Sequence, residues 1–351
     1  MNAVEPPCAG SVGRGLPLFS SLALLILALG NGLCASASPL PQEALQTTAD
    51  LVKVDVSVAD QHGKFQADLT RDNFRILDNG AEQPAVFFTP AETPSEILVM
   101  IETGPAVYLI SNEHLTAAYA LVNGLNPGDR VALVAYDQSP RQILAFTADK
   151  NLLLSALGEV QYNLGRADLN LCESLSQVLD WMKPIPGKRA VVLLSTGLDS
   201  SSAAQWEALA AKLHRDDVVI FPVALGGSLR ASSATKRPKN KKDARQNRSG
   251  GNDPSSLAES PVSFARADRD LRALAAITGG RAYFPDSGEE FLSIYREIAA
   301  ALGHQYVLGF VPSHDGLYHS LRLELKNGPG PGGRGPDYQV LARAGYLAPG
   351  P

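Results

Sequence analysis

A chain of 351 residues with 45% hydrophobic content and a formal net charge of -5 is long enough for two domains, or for one large domain with an appendage. The composition is ordinary for a globular protein and excludes a fibrous or wholly disordered chain. The modest negative charge sets up no overall field toward nucleic acid.

At the N-terminus, Arg14 precedes an apolar run from Leu16 to Leu29, which Gly30, Asn31 and Gly32 break. Ala35-Ser36-Ala37 follows, a small-x-small cleavage triplet, so residues 1–37 are expected to be a secretory signal peptide. The apolar core is too short to cross a bilayer comfortably as a helix. An exported protein, periplasmic or secreted, is the expectation. An uncleaved anchor is one alternative; lipid attachment at Cys34 is another, for which Leu33 beside the cysteine makes a poor signal. Cleavage after Ala37 removes Cys8 and Cys34 and leaves Cys172 without a disulfide partner, so the core alone must stabilise the fold.

Residues 38–50 read as a polar linker. Val52, Val54, Val56 and Val58 then alternate with polar residues, the period of a half-buried strand. Phe74 to Leu77, ended by the turn Asp78-Asn79-Gly80, gives a second strand, and Val86 to Phe88 a third. Residues 51–90 are therefore expected to form a small β unit of hairpins. From Ser95 the pattern changes. Ile97 to Ile101 is a continuous apolar run, as in a strand buried on both faces of a parallel sheet. Strands at Arg130–Tyr136, Arg189–Ser195 and Val218–Val223 alternate with helices expected near Glu113–Val122, Asp149–Val160, Leu171–Met182 and Ala203–His214. Gln142–Phe146 is suited to pair beside the second of these strands. The alternation predicts an α/β domain over 95–303 with a mainly parallel sheet flanked by helices.

Residues 228–261 interrupt the rhythm with a cluster of Lys and Arg among Ser, Gly, Asn and Pro, a composition that predicts a disordered basic insertion. Its charge suits weak contact with an acidic surface, but it has no aromatic platform for bases, so no nucleic-acid partner is expected. Helices at Phe264–Thr278 and Glu289–Leu302 flank a short strand at Ala282–Phe284. Segments Gln305–Val311, Leu321–Leu325 and Tyr338–Ala342, within 304–347, are expected to return to the first β unit. Gly328 to Gly333 satisfies a G-x-G-x-x-G pattern, but it has no strand–turn–helix context and reads as a loop.

Three segments converge on a family. Ile101-Glu102-Thr103-Gly104 at a strand end, the core strand Arg130–Tyr136, and Val191 to Asp199 resemble von Willebrand factor A-type domains. Asp68 to Phe74, the Asp78-Asn79-Gly80 turn, Gln305–Phe310 and Arg343–Tyr346 resemble more narrowly the von Willebrand A-related proteins of acidobacteria. The resemblance implies a Rossmann-like α/β fold with a small sandwich-like β unit built from both chain ends. It also implies a metal-ion-dependent adhesion site, where Mg²⁺ is held by D-x-S-x-S, a Thr and an Asp. This sequence departs from that pattern. Glu102 stands for the first Asp, Gly104 and Ala106 for the serines, Leu169 for the Thr, and Thr196 for the later Asp. A site rebuilt from Glu102, Asp168 and Asp199 is the metal-dependent alternative to a degenerate site without cofactor.

Among the enzyme motifs sought, the chain has no G-x-S-x-G, H-E-x-x-H, C-x-x-C or phosphate loop. Ser200 to Ser202 reads as a cap for the helix at Ala203, and Cys172 as a small core residue. His314 and His319 flank a polar turn and read as surface residues. Three readings stay open: a non-enzymatic binding module for a protein partner, a metal-dependent adhesion or receptor module, and an unrecognised hydrolase.

Overall fold

A computed structural model of the protein describes residues 51–104, 107, 120–163, 168–227, 230, 264–326 and 338–351. The expected signal peptide, the linker and nearly all of the basic insertion lie outside these residues. So does most of the helix expected at Glu113–Val122, of which residues 120–122 are described and helical. The strands are β1 (Val52–Ala59), β2 (Phe74–Asp78), β3 (Ala81–Gln83), β4 (Phe87–Thr89), β5 (Ser95–Glu102), β6 (Arg130–Tyr136), β7 (Pro140–Thr147), β8 (Lys188–Ser195), β9 (Val218–Ala224), β10 (Gln305–Phe310), β11 (Tyr318–Leu325), β12 (Gln339–Ala342) and β13 (Gly345–Leu347). The helices are α1 (Lys150–Gly158), α2 (Leu171–Met182), α3 (Ala203–Leu213), α4 (Phe264–Thr278) and α5 (Glu290–Gly303).

Two antiparallel four-stranded sheets, ordered β12-β1-β10-β4 and β13-β11-β2-β3, form a sandwich from the two ends of the chain. The valines of β1 face one core as the period-two pattern predicts: Val54, Val56 and Val58 are wholly buried and share it with Phe74, Ile76, Leu308, Phe310 and Leu321. The polar face is not solvated as a half-buried strand would have it, since Asp55 and Ser57 are buried as well and Ser57 Oγ donates to the Ala301 carbonyl. The register of β1 against β10 runs from Val52↔Phe310 to Ser57↔Gln305. Asn79 (φ 47°) and Gly80 (φ 85°) both take positive φ, the two-residue turn whose twist suits a tight hairpin. The strand after that turn is β3, a polar three-residue segment that hydrophobic periodicity cannot reveal; the expected third strand follows as β4.

The five-stranded sheet has the order β7-β6-β5-β8-β9, parallel except for the antiparallel edge strand β7. Side chains of β5 alternate between its two faces. Ile97, Val99 and Ile101 pack with Leu153, Leu157, Tyr295 and Ile298 of α1 and α5. Leu98 and Met100 pack with Leu175, Leu179, Leu209 and Leu271 of α2, α3 and α4. A strand covered on both faces needs an unbroken apolar run, which is what Ile97–Ile101 supplies. The strand expected at Ala282–Phe284 is reduced to a single parallel bridge, Tyr283↔Val223. The preceding turn presses its backbone against β9: a Cβ on Gly280 would stand 2.0 Å from the Ile220 carbonyl oxygen.

Charged groups fasten the sandwich to the α/β layer. Lys188, 2% exposed, begins β8 and donates from Nζ to the carbonyls of Ala91 (2.7 Å) and Gln305 (3.1 Å). Arg343, just after β12, is also buried and donates to the carbonyls of Leu213 and Asp216. Asp55 of β1 lies buried within the fields of Arg343, Lys188, Arg189 and Lys53. Burial pushes its carboxyl up to about 7 against the pull of those cations, and burial pushes the Lys188 ammonium down to about 8 against Asp129 and Asp55.

In the sandwich, His319 of β11 bridges two carboxylates, with Nδ1 2.8 Å from Asp78 and Nε2 3.0 Å from Asp315. Desolvation works against its charge, but the hydrogen bonds of Asp315 and Asp78 outweigh it and raise the imidazole above its ordinary value. A raised folded-state pKa means that the stabilisation is complete below about 6.5, the unfolded value. It is lost as pH rises through the folded value. The loss of unfolding free energy on His319→Gln, measured by urea titration, is therefore expected to be larger at pH 6 than at pH 9; equal losses would show that the imidazole carries no proton-linked stabilisation.

Candidate functional site

The order of the parallel strands reverses at β5, with β6 on one side and β8 on the other. In open α/β sheets, loops diverge at such a switch point and leave a crevice at the carboxyl ends of the strands. Glu102 is the last residue of β5, Ser195 the last of β8 and Tyr136 the last of β6. Sheet topology thus delivers three polar side chains to one place.

Glu102 has no exposed surface. Its carboxylate accepts from the Thr196 backbone N–H (Oε2, 2.7 Å), from Thr196 Oγ1 (2.9 Å to each oxygen), from Ser195 Oγ (Oε2, 3.0 Å) and from the Tyr136 hydroxyl (Oε2, 3.3 Å). Ser195 Oγ lies 2.6 Å from the Tyr136 hydroxyl and accepts the Gly197 N–H at 2.8 Å. Burial raises the Glu102 pKa, and the hydrogen bonds from Thr196, Ser195 and Tyr136 oppose that rise. Arg230 is the nearby counter-charge. Its guanidinium donates to the carbonyl of Thr196, pairs with Asp268 and stands 4.6 Å from the Phe264 ring centroid. Burial pushes it down to about 10, and the field of Glu102 holds it up.

The two other candidate ligands have different surroundings. Asp199 Oδ1 accepts from the backbone N–H of Leu171 (3.1 Å) and of Ser201 (3.1 Å) and from Ser201 Oγ (2.8 Å), while Oδ2 accepts from Cys172 N–H at 3.4 Å. It therefore caps the first turn of α2 from another loop, where a carboxylate satisfies orphan donors and complements the helix dipole. Asn170, the residue before α2, does not cap it with its side chain; its Oδ1 accepts instead from Ser200 Oγ at 2.7 Å. Asp168 is exposed. Among the described residues, no group of three His, Cys, Asp or Glu side chains is placed to hold a metal ion, so Glu102, Asp168 and Asp199 are not brought together.

The donor set bears on the fit of Mg²⁺ directly. A hard cation needs oxygen lone pairs around it and keeps much of its water. Glu102 Oε2 is met by an N–H and by O–H donors, and Oε1 shares the Thr196 hydroxyl with it. The space beside Gly104 is bounded by an apolar side chain as well: a Cβ there would lie 3.2 Å from Leu169 Cδ2 and 3.4 Å from Glu102 Oε1. These residues do not fit the ion. Sequence reasoning found Glu102 and missed Tyr136, Ser195 and Arg230; the signal available was three polar residues ending or following apolar strands.

The enzyme reading meets one suggestive arrangement. Ser313 Oγ is 3.2 Å from His319 Nε2, and Nδ1 faces the buried Asp78. Asp315, however, holds the same Nε2 at 3.0 Å. An imidazole donating from both nitrogens cannot accept a serine proton. Ser202 caps α3 through a capping box with Gln205. Cys172 is buried, and burial together with Asp199 pushes its thiol up to about 12, far from the low range of a nucleophilic cysteine. Among the described residues, none of these side chains is prepared for covalent catalysis.

The Glu102 network is expected to carry stability. Glu102→Ala removes the acceptor that four donors share and is expected to cost about 3–5 kcal/mol. Glu102→Gln, which turns an NH₂ toward donors, is expected to cost about 1–3 kcal/mol. Urea unfolding checks both; a loss below about 1 kcal/mol for the alanine variant would show that the carboxylate does not hold the strand ends together.

The sequence matches no family model and no curated protein. Solved structures with a similar fold include a von Willebrand factor type A protein from Catenulispora acidiphila (12% identity, 85% of this chain and 75% of that chain, TM-score 0.43). Another is an aerotolerance-related membrane protein from Bacteroides fragilis (14% identity, 59% and 98%, TM-score 0.41), and a third is BatB from Bacteroides thetaiotaomicron (15% identity, 58% and 97%, TM-score 0.38). Identities this low say nothing of activity or partners. This chain's own sheet order, with helices on both faces of a mainly parallel sheet, is consistent with the fold of von Willebrand factor A-type domains, which its three strand-end segments resemble.

Proposed function

We propose that this protein is an exported, non-enzymatic interaction module that recognises a protein partner through the loops at the carboxyl ends of β5, β6 and β8, without a metal ion. The observation that carries the reading is the Glu102 carboxylate, buried and met by donors at both oxygens. In a metal-dependent adhesion site the cation keeps a coordination position for a carboxylate from the partner. Glu102, Thr196 and Leu169 leave no lone-pair cage for that cation, so recognition falls to the loop surface. That surface carries Arg141, whose side chain is 44% exposed and which pairs with Asp137 at 2.9 Å, and the exposed Asp168 and Ser200. Conserving the crevice while closing its centre suits a rigid platform for contacts at its rim. Export rests on the charged start, apolar run and small-residue triplet of residues 1–37.

Thermal unfolding of the mature chain in millimolar MgCl₂ and in EDTA tests the central claim. The expected midpoints coincide. A cation present at 100 times its Kd would stabilise by about 2.7 kcal/mol, and a shift of that size, lost in Glu102→Ala, would overturn the proposal. Capture of partners from the envelope fraction with and without chelator is the second arm. Equal recovery is expected, and recovery only with divalent cation counts against the reading.

A further inference from the structure

The two ends of the segment 231–263 meet at one side chain. Arg230, the last described residue before the segment, has a side chain only 11% exposed. Its Nε donates to the Leu225 carbonyl just after β9 (3.2 Å), and its Nη2 donates to the Thr196 carbonyl just after β8. The guanidinium pairs with Asp268 of α4 and lies 4.6 Å from the ring centroid of Phe264, the first residue of α4 and the first described after the segment. An arginine fork holds several acceptors in one plane, which a lysine ammonium does not. The entropy of closing a loop grows only slowly with its length, so contacts at the two roots, rather than the residues between them, decide where the ends sit.

The same contacts reach the centre of the crevice. Thr196 stands between two charges: its N–H donates to Glu102 at 2.7 Å, and its carbonyl accepts from Arg230. The field of Glu102 in turn favours the charged guanidinium. Helix α4 is also packed directly on the loop that follows β8. A Cβ on Gly197 (φ 72°) would lie 2.9 Å from Leu271 Cδ1 and 3.1 Å from Ala267 Cβ, so backbone and helix are in close contact there. Arg266 donates to the Ser201 carbonyl at 3.5 Å, and Asp199, between these two contacts, caps α2. Close-packed contacts shift between discrete arrangements rather than deform smoothly. A displacement of the first two turns of α4 is therefore passed to the loop 196–202.

We propose that Arg230 is a coupling residue, a clasp that links the roots of the segment 231–263 to the crevice, so that a partner seated on the rim and a displacement of those roots each alter the other. The partner half rests on the reading of the loop surface given above; the clasp itself does not. Linkage makes such coupling reciprocal. A change at Glu102 is felt in α4, to which Glu102 makes no hydrogen bond, and a change at Asp268 is felt at Thr196, to which Asp268 makes none.

Hydrogen exchange of the free full chain reads this, with α1, on the opposite face of the same sheet from α4, as the measure of unfolding of the whole α/β layer. Relative to α1, Glu102→Gln is expected to speed exchange in α4 by about threefold or more, and Asp268→Asn to speed the Thr196 and Gly197 amides by a similar factor. In an Arg230→Met background both responses are expected to disappear. Arg230→Lys, which keeps the charge without the fork, is expected to give the same result and serves if the methionine variant does not fold. A response confined to the mutated side, or one that persists at full size without the arginine, would overturn the coupling. No partner is present in this measurement, so its failure leaves the magnesium and capture tests untouched, and theirs leaves the clasp untouched.

Discussion

A carboxylate removed from water must be met by donors or by a cation, and Glu102 is met by donors. That requirement organises the crevice end of the α/β domain. It draws the Thr196 N–H and both adjacent hydroxyls inward from β8 and turns the Tyr136 hydroxyl from β6 toward β5. The Thr196 carbonyl then accepts from Arg230, which follows β9 in the chain, and Arg230 in turn joins Asp268 of α4. Strands, loop and helix are joined through one buried side chain. The extra methylene of Glu over Asp matters here: the longer arm reaches from the end of β5 to the backbone of β8, a span that a metal ion and its ligands bridge in an adhesion site.

The opposite end of the sheet is organised by cations with the reverse problem. Lys188 and Arg343 are buried with few carboxylates, and each donates to two backbone carbonyls. Carbonyl acceptors do not neutralise charge; they only solvate it. Asp55 supplies the nearest full negative charge, and burial weakens its hold on that charge. The two ends of the domain thus differ in kind, one closed around an internal anion and the other left with surplus positive charge.

Much of the fold was legible because the physical signals were local. Helix α2 spans the residues that periodicity assigned, and the apolar run at Ile97 lies in a strand buried on both faces. β3 and β13 escaped because three-residue strands are shorter than the period that would reveal them. The site was legible only in part. Glu102 was named because Ile101-Glu102-Thr103-Gly104 resembles a metal-site motif, but its partners Ser195 and Tyr136 end strands that read as purely structural. Asp199 caps a helix that starts 28 residues earlier in the chain, and no local pattern announces which helix a cap from another loop will serve.

The sandwich is closed by strands from both ends of the chain, so its halves are separated in time as well as in sequence. After β4 ends at Thr89, roughly 215 residues must be made before β10 begins at Gln305. At the usual pace of synthesis, about 5–20 residues per second, that interval is about 10–40 s. Throughout it, β1 has neither of its neighbours, β10 and β12, and offers two open edges with a valine-rich face, the kind of surface that seeds aggregation. The α/β domain can complete its own sheet meanwhile, since β5 to β9 are contiguous. A chain released early, or cut before Gln305, would therefore carry a finished sheet beside an orphaned strand, and holding β1 apart from other chains becomes a task for whatever accompanies the protein before its tail arrives.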